Sequence, residues 1–472
     1  MVKPHILLVT FPAQGHINPA LQLAKRLVSL GVQVTFVTSE FAIRRMNKTT
    51  SVVPEGLSFG SYSDGYDDGF KPGDDVHHYM AEIRRVGSQT LTEFVVASTE
   101  QGNHYSCIVY SILLPWVEKV AASVNIPTTL LWNQTATMLD IYYYYFNGYG
   151  DVIKNSINEP SFSLKLQGLP ELASRDLPSF FLPSTPYSFA LPLFQEQMEI
   201  LDQKSHPRVL VNTFDALESD ALKAIDKYNL VGIGPLIPSA FLDRKDPSDT
   251  CFGGDLIKGA TNSKEYMEWL DSKPESSVIY VSFGSISVLS KPQMEEMARG
   301  LLRTGRPFLW VIREREGDQK KKEGGDDDDD QLSCVKELEE QGKIVTWCSQ
   351  VEVLSHKSLG CFVTHCGWNS TLESLCSGVP VVAFPQWTDQ TTNAKMVEHV
   401  WKTGVRANFN KQEEDHHIVD EDEIYKCLEL VMGSKEMTSN AKNWMELARE
   451  AANEGGSSHK NLKDFVDEIS NF

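Results

Sequence analysis

The stretch LGCFVTHCGWNSTLESLCSGVPVVAF, Leu359 to Phe384, joins two apolar, β-prone runs through a polar turn and a helical pattern. LGCFV and VPVVAF each have the length and composition of a buried strand. Between them, THCGWNSTLE crowds glycine and hydrogen-bonding residues into the point where the first strand passes into a helix. A strand, a helix and a second strand in this order predict a unit of parallel sheet.

The same alternation of apolar runs and amphipathic helical patterns extends along most of the chain. HILLVTF (His5–Phe11) precedes INPALQLAKRLVSLG, whose apolar residues repeat at helical spacing, and SVIYVSFGS precedes a second such helical pattern. Between 234 and 263 the alternation stops in a segment rich in Pro, Gly, Asp and Ser. We therefore predict an α/β protein with parallel sheets, domains over residues 1–240 and 263–455, and a linker over 241–262.

The composition is that of a globular protein and restricts the class of partner. Hydrophobic residues make up 41% and charged residues 23% of the 472. The formal net charge of −20 argues against a nucleic-acid or anionic-membrane surface. No run reaches the roughly 18 apolar residues of a membrane span. The N-terminus lacks a signal-peptide pattern, and eight cysteines without a CxxC pair favour a reducing compartment. We expect a soluble cytoplasmic protein and interpret KKKEGGDDDDD (320–330) as a solvated loop rather than a cation site.

The polar turn within THCGWNSTLE has the composition of a phosphate-binding site. Ligands of open parallel sheets bind outside the carboxyl ends of the strands, where helix N-termini offer N–H groups to an anion. Gly367 permits close approach of the backbone, and His365, Asn369 and Ser370 add hydrogen-bond donors. A second interpretation needs no ligand, because Ser370 and Glu373 also fit the S/T-x-x-E capping box. The stretch by itself leaves both interpretations open.

Two other strand ends in the same half of the chain carry unusual polar and aromatic residues. Trp347 and Gln350, in WCSQ, follow the strand-like KIVT, and Asp389 and Gln390, in PQWTDQ, follow VPVVAF. An exposed tryptophan can stack on a base, and an acid–amide pair can bind sugar hydroxyls. Together with the phosphate-binding turn, these strand ends predict a slot for a nucleotide diphosphate sugar.

The segment from Trp347 to Gln390 closely resembles the signature box of plant UDP-dependent glycosyltransferases. It begins with WCSQ, contains HCGWNSTLES and ends with DQ. FPAQGHINP near the N-terminus, the VSFGS strand and the overall length extend the resemblance over essentially the whole chain. The resemblance implies the GT-B fold, with two Rossmann-like domains facing each other across a cleft. It also implies that a final helix, at about 456–472, returns to the N-terminal domain.

The resemblance also implies roles for individual residues at the donor. Trp347 would stack on uracil, and the backbone at Cys348 would read the edge of the base. The other implied contacts are Gln350 and Glu373 at the ribose; His365, Asn369, Ser370 and Ser285 at the phosphates; Trp368 beside the phosphates and sugar; and Asp389 and Gln390 at the sugar. Gln at the last of these positions is associated in the family with glucose.

His16, in FPAQGHINP, is the general base that the resemblance implies. It would accept the proton of an acceptor hydroxyl, whose oxygen then attacks the anomeric carbon with inversion. Many relatives hold this histidine with an aspartate, whereas the matching position here is Ser111. Either the acceptor is acidic enough to need little help, or another polar group reaches His16, and Asn133 and Asp140 are the candidates. Asn133 is also a candidate contact of the sugar.

The predicted activity is transfer of glucose from UDP-glucose to a hydroxyl or carboxyl group of a small plant metabolite. The acceptor would be a phenolic, flavonoid or anthocyanin, or a hormone-like carboxylic acid. Trp387 and the aromatic stretches at 139–150 and 177–194 are candidates for its pocket. No Asp-x-Asp metal motif is present, so we expect a metal-independent monomer without a cofactor. The alternative is a catalytically weak UDP-sugar-binding or sensor protein of the same fold.

Overall fold

The computed structural model describes residues 3–46, 53–71, 73–159, 161–253, 263–285, 287–313, 332–413 and 416–470. The acidic run at 320–330 and the last part of the predicted linker lie outside these residues. The chain forms two compact units, one of Met1–Lys258 with Leu447–Phe472 and one of Gly259–Glu446. Residues 241–253 thus belong to the first unit, where Lys25 Nζ lies 2.5 Å from Asp249 Oδ1.

The first unit is built on a parallel sheet. Its described strands are β1 (His5–Val9), β2 (Gln33–Ser39), β3 (Leu57–Tyr62), β4 (Cys107–Ser111), β5 (Thr128–Trp132), β6 (Ser163–Leu164), β7 (Leu172–Ala173), β8 (Arg208–Val211) and β9 (Asn229–Gly232). Seven of these form the sheet in the order β3–β2–β1–β4–β5–β8–β9, while β6 and β7 pair separately. Ile6 of β1 lies opposite Val34 on one side and Cys107 on the other. The strand order therefore reverses at β1, which places a ligand crevice at its carboxyl end.

Helices cover the first sheet. They are α1 (Gln14–Ser29), α2 (Glu40–Met46), α3 (Val76–Glu100), α4 (Val117–Ser123), α5 (Ala136–Tyr144), α6 (Gly150–Ser156) and α7 (Ala190–Asp202), with α16 (Ser457–Ile469) from the C-terminus. Of the apolar residues that repeat at helical spacing in and just after α1, Leu21, Ala24 and Leu27 are fully or almost fully buried, whereas Val28 and Leu30 are partly buried. Asp75 caps α3 by accepting hydrogen bonds from the backbone N–H groups of His77 and His78.

Side chains of β1 alternate between two hydrophobic clusters, one on each face of the sheet. Leu7 and Val9 belong to one cluster, and Ile6 and Leu8 belong to the other. The second cluster also contains Leu462, Phe465, Val466 and Ile469 of α16. Because each fully buried side chain of this size contributes about 1.5–3 kcal/mol, this apolar stripe is enough to hold the C-terminal helix on the first unit. The predicted return of the final helix is confirmed.

The second unit has its own parallel sheet. Its described strands are β10 (Val278–Ser282), β11 (Phe308–Val311), β12 (Lys343–Val345), β13 (Leu359–Thr364), β14 (Val381–Ala383) and β15 (Gly404–Arg406), followed by the hairpin β16 (Lys411–Glu413) and β17 (His416–Ile418). The first six form the sheet in the order β12–β11–β10–β13–β14–β15. Here the order reverses at β10, which pairs with both β11 and β13. The carboxyl ends of β10 and β13 thus meet beside the predicted phosphate-binding turn.

The helices of the second unit begin largely at this edge. They are α8 (Ser263–Asp271), α9 (Lys291–Arg303), α10 (Val335–Gln341), α11 (Gln350–Leu354), α12 (Trp368–Ser377), α13 (Gln390–Lys395), α14 (Glu421–Gly433) and most of α15 (Lys435–Ala452), whose end from Leu447 onward belongs to the first unit. Three of them begin at a predicted donor-site residue: α11 at Gln350, α12 at Trp368 and α13 at Gln390. A helix N-terminus therefore lies within or at the end of each of the segments WCSQ, THCGWNSTLE and PQWTDQ.

Candidate active site

His16 lies in the first turn of α1, directly after β1 and the bend at Phe11–Ala13. Its backbone N–H donates to the Ala13 carbonyl at 2.9 Å, and its ring centroid is 5.2 Å from that of Phe11. The side chain is half-buried. This position at the switch point of the first sheet is where α/β proteins bind their ligands.

Ser111 is the side chain that faces His16. It ends β4, the neighbour of β1, and is fully buried. Its Oγ accepts a hydrogen bond from the Phe11 N–H at 3.0 Å and lies 3.4 Å from Nδ1 of His16. The hydroxyl can accept from the ring while donating to the Ile112 carbonyl at 3.4 Å. This arrangement favours the tautomer with hydrogen on Nδ1, which leaves Nε2 as the basic nitrogen.

Burial lowers the pKa of His16 from 6.5 to about 4. The physical cause is removal of the imidazolium from water without a compensating carboxylate. At neutral pH the ring is therefore uncharged and able to accept a proton, but it is a weak base. A serine hydroxyl cannot supply the opposite charge that would restore its basicity.

Asn133 and Asp140, the two alternative partners of His16, lie in different environments. Asn133 Nδ2 donates weakly to the Gly15 carbonyl at 3.5 Å, and its buried Oδ1 has no partner within the described part of the chain. Asn133 therefore lies beside the turn that carries His16. Asp140 is fully buried in α5, and neither carboxyl oxygen contacts a hydrogen-bonding group of the described residues. Burial, reinforced by the charge of Glu218, raises the pKa of Asp140. The hypothesis that Asp140 holds His16 is wrong, because its oxygens do not reach the ring.

Most aromatic residues of the stretches 139–150 and 177–194 pack against one another. The rings of Tyr142 and Phe194 stack with centroids 4.3 Å apart, as do those of Tyr145 and Phe181. These four side chains are buried in the hydrophobic cluster that also contains Leu7 and Val9 of β1. They form core, so only the partly exposed aromatics of these stretches are left to meet an acceptor.

In the second unit, Trp347 and Cys348 follow β12 at the carboxyl edge of the sheet. Trp347 is half-buried, which leaves part of its indole accessible, whereas Cys348 is buried. Cys348 Sγ lies 3.2 Å from Tyr280 Oη, and the next backbone N–H, of Ser349, donates to Tyr266 Oη at 3.1 Å. Two buried tyrosines thus fix the backbone beside the predicted uracil position.

Gln350 connects the predicted ribose and phosphate residues. Its Nε2 donates to Ser370 Oγ at 2.8 Å and to Glu373 Oε2 at 2.6 Å, and its Oε1 accepts from Tyr280 Oη at 3.3 Å. Burial raises the pKa of Glu373 to about 7. The capping-box interpretation of Ser370 and Glu373 is wrong, because α12 begins at Trp368 with Gly367 as its N-cap. Both side chains instead lie within the helix and accept hydrogen bonds from Gln350.

His365 packs between two glycines at the carboxyl end of β13. A Cβ atom on Gly284 would lie 2.6 Å from His365 Cε1, and one on Gly367 would lie 2.5 Å from Nε2. Gly284 also has a φ of 73°, in the left-handed region. Burial and then the charge of Arg313 lower the pKa of His365 to about 4. Its buried Nδ1 has no partner among the described residues.

Ser285 lies in the loop that follows β10, and Arg313 holds this loop. The guanidinium of Arg313 donates from Nη1 to the Ser285 carbonyl and from Nη2 to the Ser287 carbonyl, the latter at 2.8 Å. Sequence reasoning missed Arg313, because it follows a plain apolar strand, PFLWVI, with no motif around it.

Trp368 and Asn369 open α12, but they face different surroundings. Trp368 is 4% exposed, and its ring centroid lies 6.0 Å from that of Trp401. Its indole is therefore packed inside the second unit. The part of Trp368 that lies at the predicted phosphate position is its backbone, in the first turn of α12. Asn369 is half-buried in the first turn of the helix, where a side-chain donor can reach an anion.

The predicted sugar-binding pair, Asp389 and Gln390, is buried at the start of α13. Asp389 accepts from Asn393 Nδ2 at 2.8 Å, and that nitrogen also donates to the Cys366 carbonyl at 2.9 Å. Gln390 Oε1 accepts from the N–H groups of Gln386 and of the half-buried Trp387, at 2.8 and 3.1 Å. The amide oxygen of Gln390 thus holds the loop, which leaves its Nε2 to donate to a ligand. Asn393, which sequence reasoning missed, joins this pair to the turn that follows β13.

Among the residues that the structure describes, no three His, Cys, Asp or Glu side chains are grouped to hold a metal ion. No helix formed by these residues has the length and apolarity needed to cross a membrane.

The sequence and the fold are similar to those of known glycosyltransferases. The family model described as "UDP-glucoronosyl and UDP-glucosyl transferase" matches residues 248–449. Phloretin 4'-O-glucosyltransferase of Malus domestica is 59% identical over 99% of this chain and 98% of its own. A crocetin glucosyltransferase of Gardenia jasminoides, described as chloroplastic, is 58% identical over 98% of this chain and 97% of its own. The crystal structure of Os79 from O. sativa in complex with UDP has a TM-score of 0.84 at 32% identity, covering 98% of this chain and 100% of that one.

The two parallel sheets with helices agree with the GT-B fold of these structural neighbours. Identity above one half over nearly the full length of both relatives extends the resemblance beyond the signature box. The chain belongs to the family of plant UDP-dependent glycosyltransferases.

Proposed function

We propose that the protein transfers glucose from UDP-glucose, with inversion, to the carboxyl group or an acidic phenolic hydroxyl of a small plant metabolite. The observation that carries the choice of acceptor is the environment of His16. Its imidazole is half-buried, its pKa is about 4, and its neighbour at Nδ1 is the hydroxyl of Ser111.

A base this weak suits an acceptor that ionises by itself. A carboxyl group titrates near about pH 4 and is a nucleophile at neutral pH without any base. A phenol with a pKa near about 10 must lose its proton during attack, so its transfer depends on the basicity of His16. Carboxylates and phenols of lowered pKa are thus the favoured acceptors, among them aromatic or isoprenoid acids and flavonoid or anthocyanin hydroxyls.

Two of the relatives support both acceptor classes. The Malus domestica relative is described by transfer to the 4'-oxygen of phloretin, a polyphenol, and the Gardenia jasminoides relative by transfer to crocetin, a dicarboxylic acid. Both are called glucosyltransferases, and Gln390 occupies the position that the family associates with glucose. These points support UDP-glucose as the donor and disfavour the alternative of a catalytically weak UDP-sugar-binding or sensor protein.

The leaving diphosphate would be stabilised without a metal. The N-terminal N–H groups of α12 and the side chains of His365, Asn369 and Ser370 supply donors at one strand end. Preorganised donors of this kind stabilise the charge that develops on the leaving group. A metal-independent enzyme would keep full activity in the presence of a chelator such as EDTA.

The test uses two acceptors that differ only in the reacting group. 4-Methoxycinnamic acid offers a carboxyl group, and methyl 4-hydroxycinnamate offers a phenol. Release of UDP is measured with UDP-glucose, UDP-galactose and UDP-glucuronate as donors. The product from the acid should be cleaved by hydroxylamine, as a glucose ester is, and a large anomeric coupling constant in the proton NMR spectrum should show the β-linkage expected for inversion.

We expect UDP-glucose to be the preferred donor and kcat/KM to be higher for the carboxylic acid than for the matched phenol. Equal or higher kcat/KM for the phenol would contradict the argument from His16. No turnover of either acceptor, or of a wider phenolic and acid library, would favour the sensor alternative.

We also propose a cytoplasmic monomer. All eight cysteines are free thiols, which agrees with a reducing compartment. Cell fractionation and sedimentation velocity of the purified protein test the compartment and the oligomeric state separately.

A further inference from the structure

Arg313 is a half-buried cation that no motif singled out. It lies two residues beyond β11, which neighbours β10 at the switch point of the second sheet. Burial lowers the pKa of its guanidinium, so the charge is held at a cost in free energy. A buried charge that is retained at a cost calls for a structural or functional reason.

The first reason is the loop after β10. Two nitrogens of the guanidinium donate to the carbonyls of Ser285 and Ser287, which lie on either side of a single residue. A planar group with two parallel donors fixes such a segment better than a single ammonium can. Arg313 therefore sets the position of Ser285, an implied phosphate contact.

The second reason is electrostatic. Within the part of the chain that the structure describes, no carboxylate forms an ion pair with Arg313, and its two hydrogen bonds go to neutral carbonyls. Its charge lies close enough to His365 to oppose protonation of that ring. A guanidinium has five N–H donors, and these two bonds use only two of them. The charge is thus free to act on an anion beside His365.

Two other buried polar atoms lie in the same cluster without partners among the described residues. They are the hydroxyl of Ser287, a residue that is 5% exposed, and Nδ1 of His365. A buried polar atom of this kind needs a partner supplied by something else. Together with the charge of Arg313, which has no carboxylate partner among the described residues, these atoms are suited to an anionic ligand with several oxygen atoms.

We propose that Arg313 is a positioning residue for the diphosphate of the donor. It holds Ser285 and Ser287 in place and keeps a permanent positive charge beside His365, so the second unit favours UDP over uncharged uridine. In a chain of net charge −20, a local cation is needed to offset general repulsion of the donor. The inference rests on the UDP-dependent activity of the family and does not depend on which acceptor is used.

The test is isothermal titration calorimetry of the full chain with UDP and, separately, with uridine. The variants are Arg313→Gln, which removes the charge, and Arg313→Lys, which keeps it. Arg303→Gln is the matched control, because it removes one arginine from the same unit at an exposed ion pair with Asp422. Circular dichroism melts of all three establish that the variants are folded.

We expect Arg313→Gln to raise the Kd of UDP by about tenfold or more, as for loss of one charge-assisted interaction. The Kd of uridine should change by less than about twofold, since uridine lacks the diphosphate. Arg313→Lys should keep most of the discrimination between UDP and uridine, and Arg303→Gln should keep all of it. In Arg313→Gln, the affinity for UDP should also depend less on salt than in the unsubstituted protein.

Two results would overturn the proposal. One is an unchanged ratio of UDP to uridine affinity in Arg313→Gln. The other is an equal loss in Arg313→Lys and Arg313→Gln, which would leave the charge without a role. If Arg313→Gln does not fold, the salt dependence of UDP binding to the unsubstituted protein decides the matter, and an affinity for UDP that does not fall as salt rises would overturn the proposal. Failure here would leave the acceptor assignment untouched, because none of these measurements contains an acceptor.

Discussion

Replacing Ser111 with aspartate should make His16 a stronger base. Ser111 Oγ lies 3.4 Å from Nδ1 of His16 and accepts the N–H of Phe11 at 3.0 Å. A carboxylate at this position can accept both hydrogen bonds. It would then hold the imidazolium in an ion pair instead of leaving it buried and uncompensated.

The magnitude follows from the distance. Two unit charges about 4 Å apart at an effective dielectric constant of about 20 attract by about 4 kcal/mol. Part of this is spent on burying the carboxylate, so a rise of about 2 units in the pKa of His16 is expected. With a Brønsted slope near about one half, transfer to a phenol should become faster by about tenfold. Transfer to a carboxylate, which is already ionised, should change by less than about twofold.

The assay is kcat/KM for methyl 4-hydroxycinnamate and for 4-methoxycinnamic acid at pH 8, followed by a pH profile with the phenol. The acid limb of that profile reports deprotonation of His16. In Ser111→Asp this limb should move from near pH 4 to near about pH 6, because a nearby anion favours the protonated ring. Ser111→Asn is the matched control, since it has a similar shape without the charge.

The reasoning is refuted if Ser111→Asp raises the rates with the phenol and with the carboxylic acid equally, or if Ser111→Asn accelerates the phenol as much as aspartate does. Either outcome would mean that shape, and not basicity, limits the phenol reaction. A shift of the acid limb without a gain in rate would show that the step limited by His16 is not the chemical one.

Three further predictions concern other parts of the molecule. Gly367→Ala should weaken UDP binding by about tenfold in a calorimetric titration, because its Cβ would lie 2.5 Å from His365 Nε2, whereas Gly433→Ala, with open space around it, should not. Asp140→Leu should raise the free energy of unfolding by about 1–2 kcal/mol at pH 8 in urea titrations. This gain should shrink toward pH 4. Because the pKa of Asp140 is raised in the folded state, the unsubstituted protein loses stability as pH rises above the unfolded-state pKa of about 3.9, and at pH 4 little of that loss has occurred. With a phenolic acceptor, the unsubstituted enzyme should lose kcat/KM only as pH approaches about 4, since protonation of His16 inactivates it and its pKa is about 4.

The fold was predictable because both switch points coincide with motif residues. A buried strand followed by a polar, glycine-containing turn and an amphipathic helix occurs in the first sheet at FPAQGHINP and in the second at THCGWNSTLE. Parallel sheets bury both faces of their strands, so the apolar runs marked them clearly. The return of α16 to the first unit came from the family resemblance, since an amphipathic stripe does not say which surface it covers.

The supporting contacts of the candidate site were not predictable. Arg313, Asn393 and Tyr280 act across 20 to 70 positions of sequence and carry no local pattern of their own. The capping box failed for a related reason. The S-x-x-E spacing of Ser370 and Glu373 fits a helix start, but α12 begins two residues before Ser370. Gln350, which is distant in sequence, donates hydrogen bonds to both side chains.

Burial lowers the pKa of both candidate histidines, His16 in the first unit and His365 in the second. His16 and His365 both have pKa values of about 4, so both are uncharged at neutral pH. An uncharged His16 keeps Nε2 available to a proton. An uncharged His365, in contrast, leaves the predicted phosphate-binding turn without a cationic histidine. Arginine retains its charge when buried, whereas lysine and histidine lose theirs more readily. A guanidinium beside His365 therefore meets a need that neither histidine can meet.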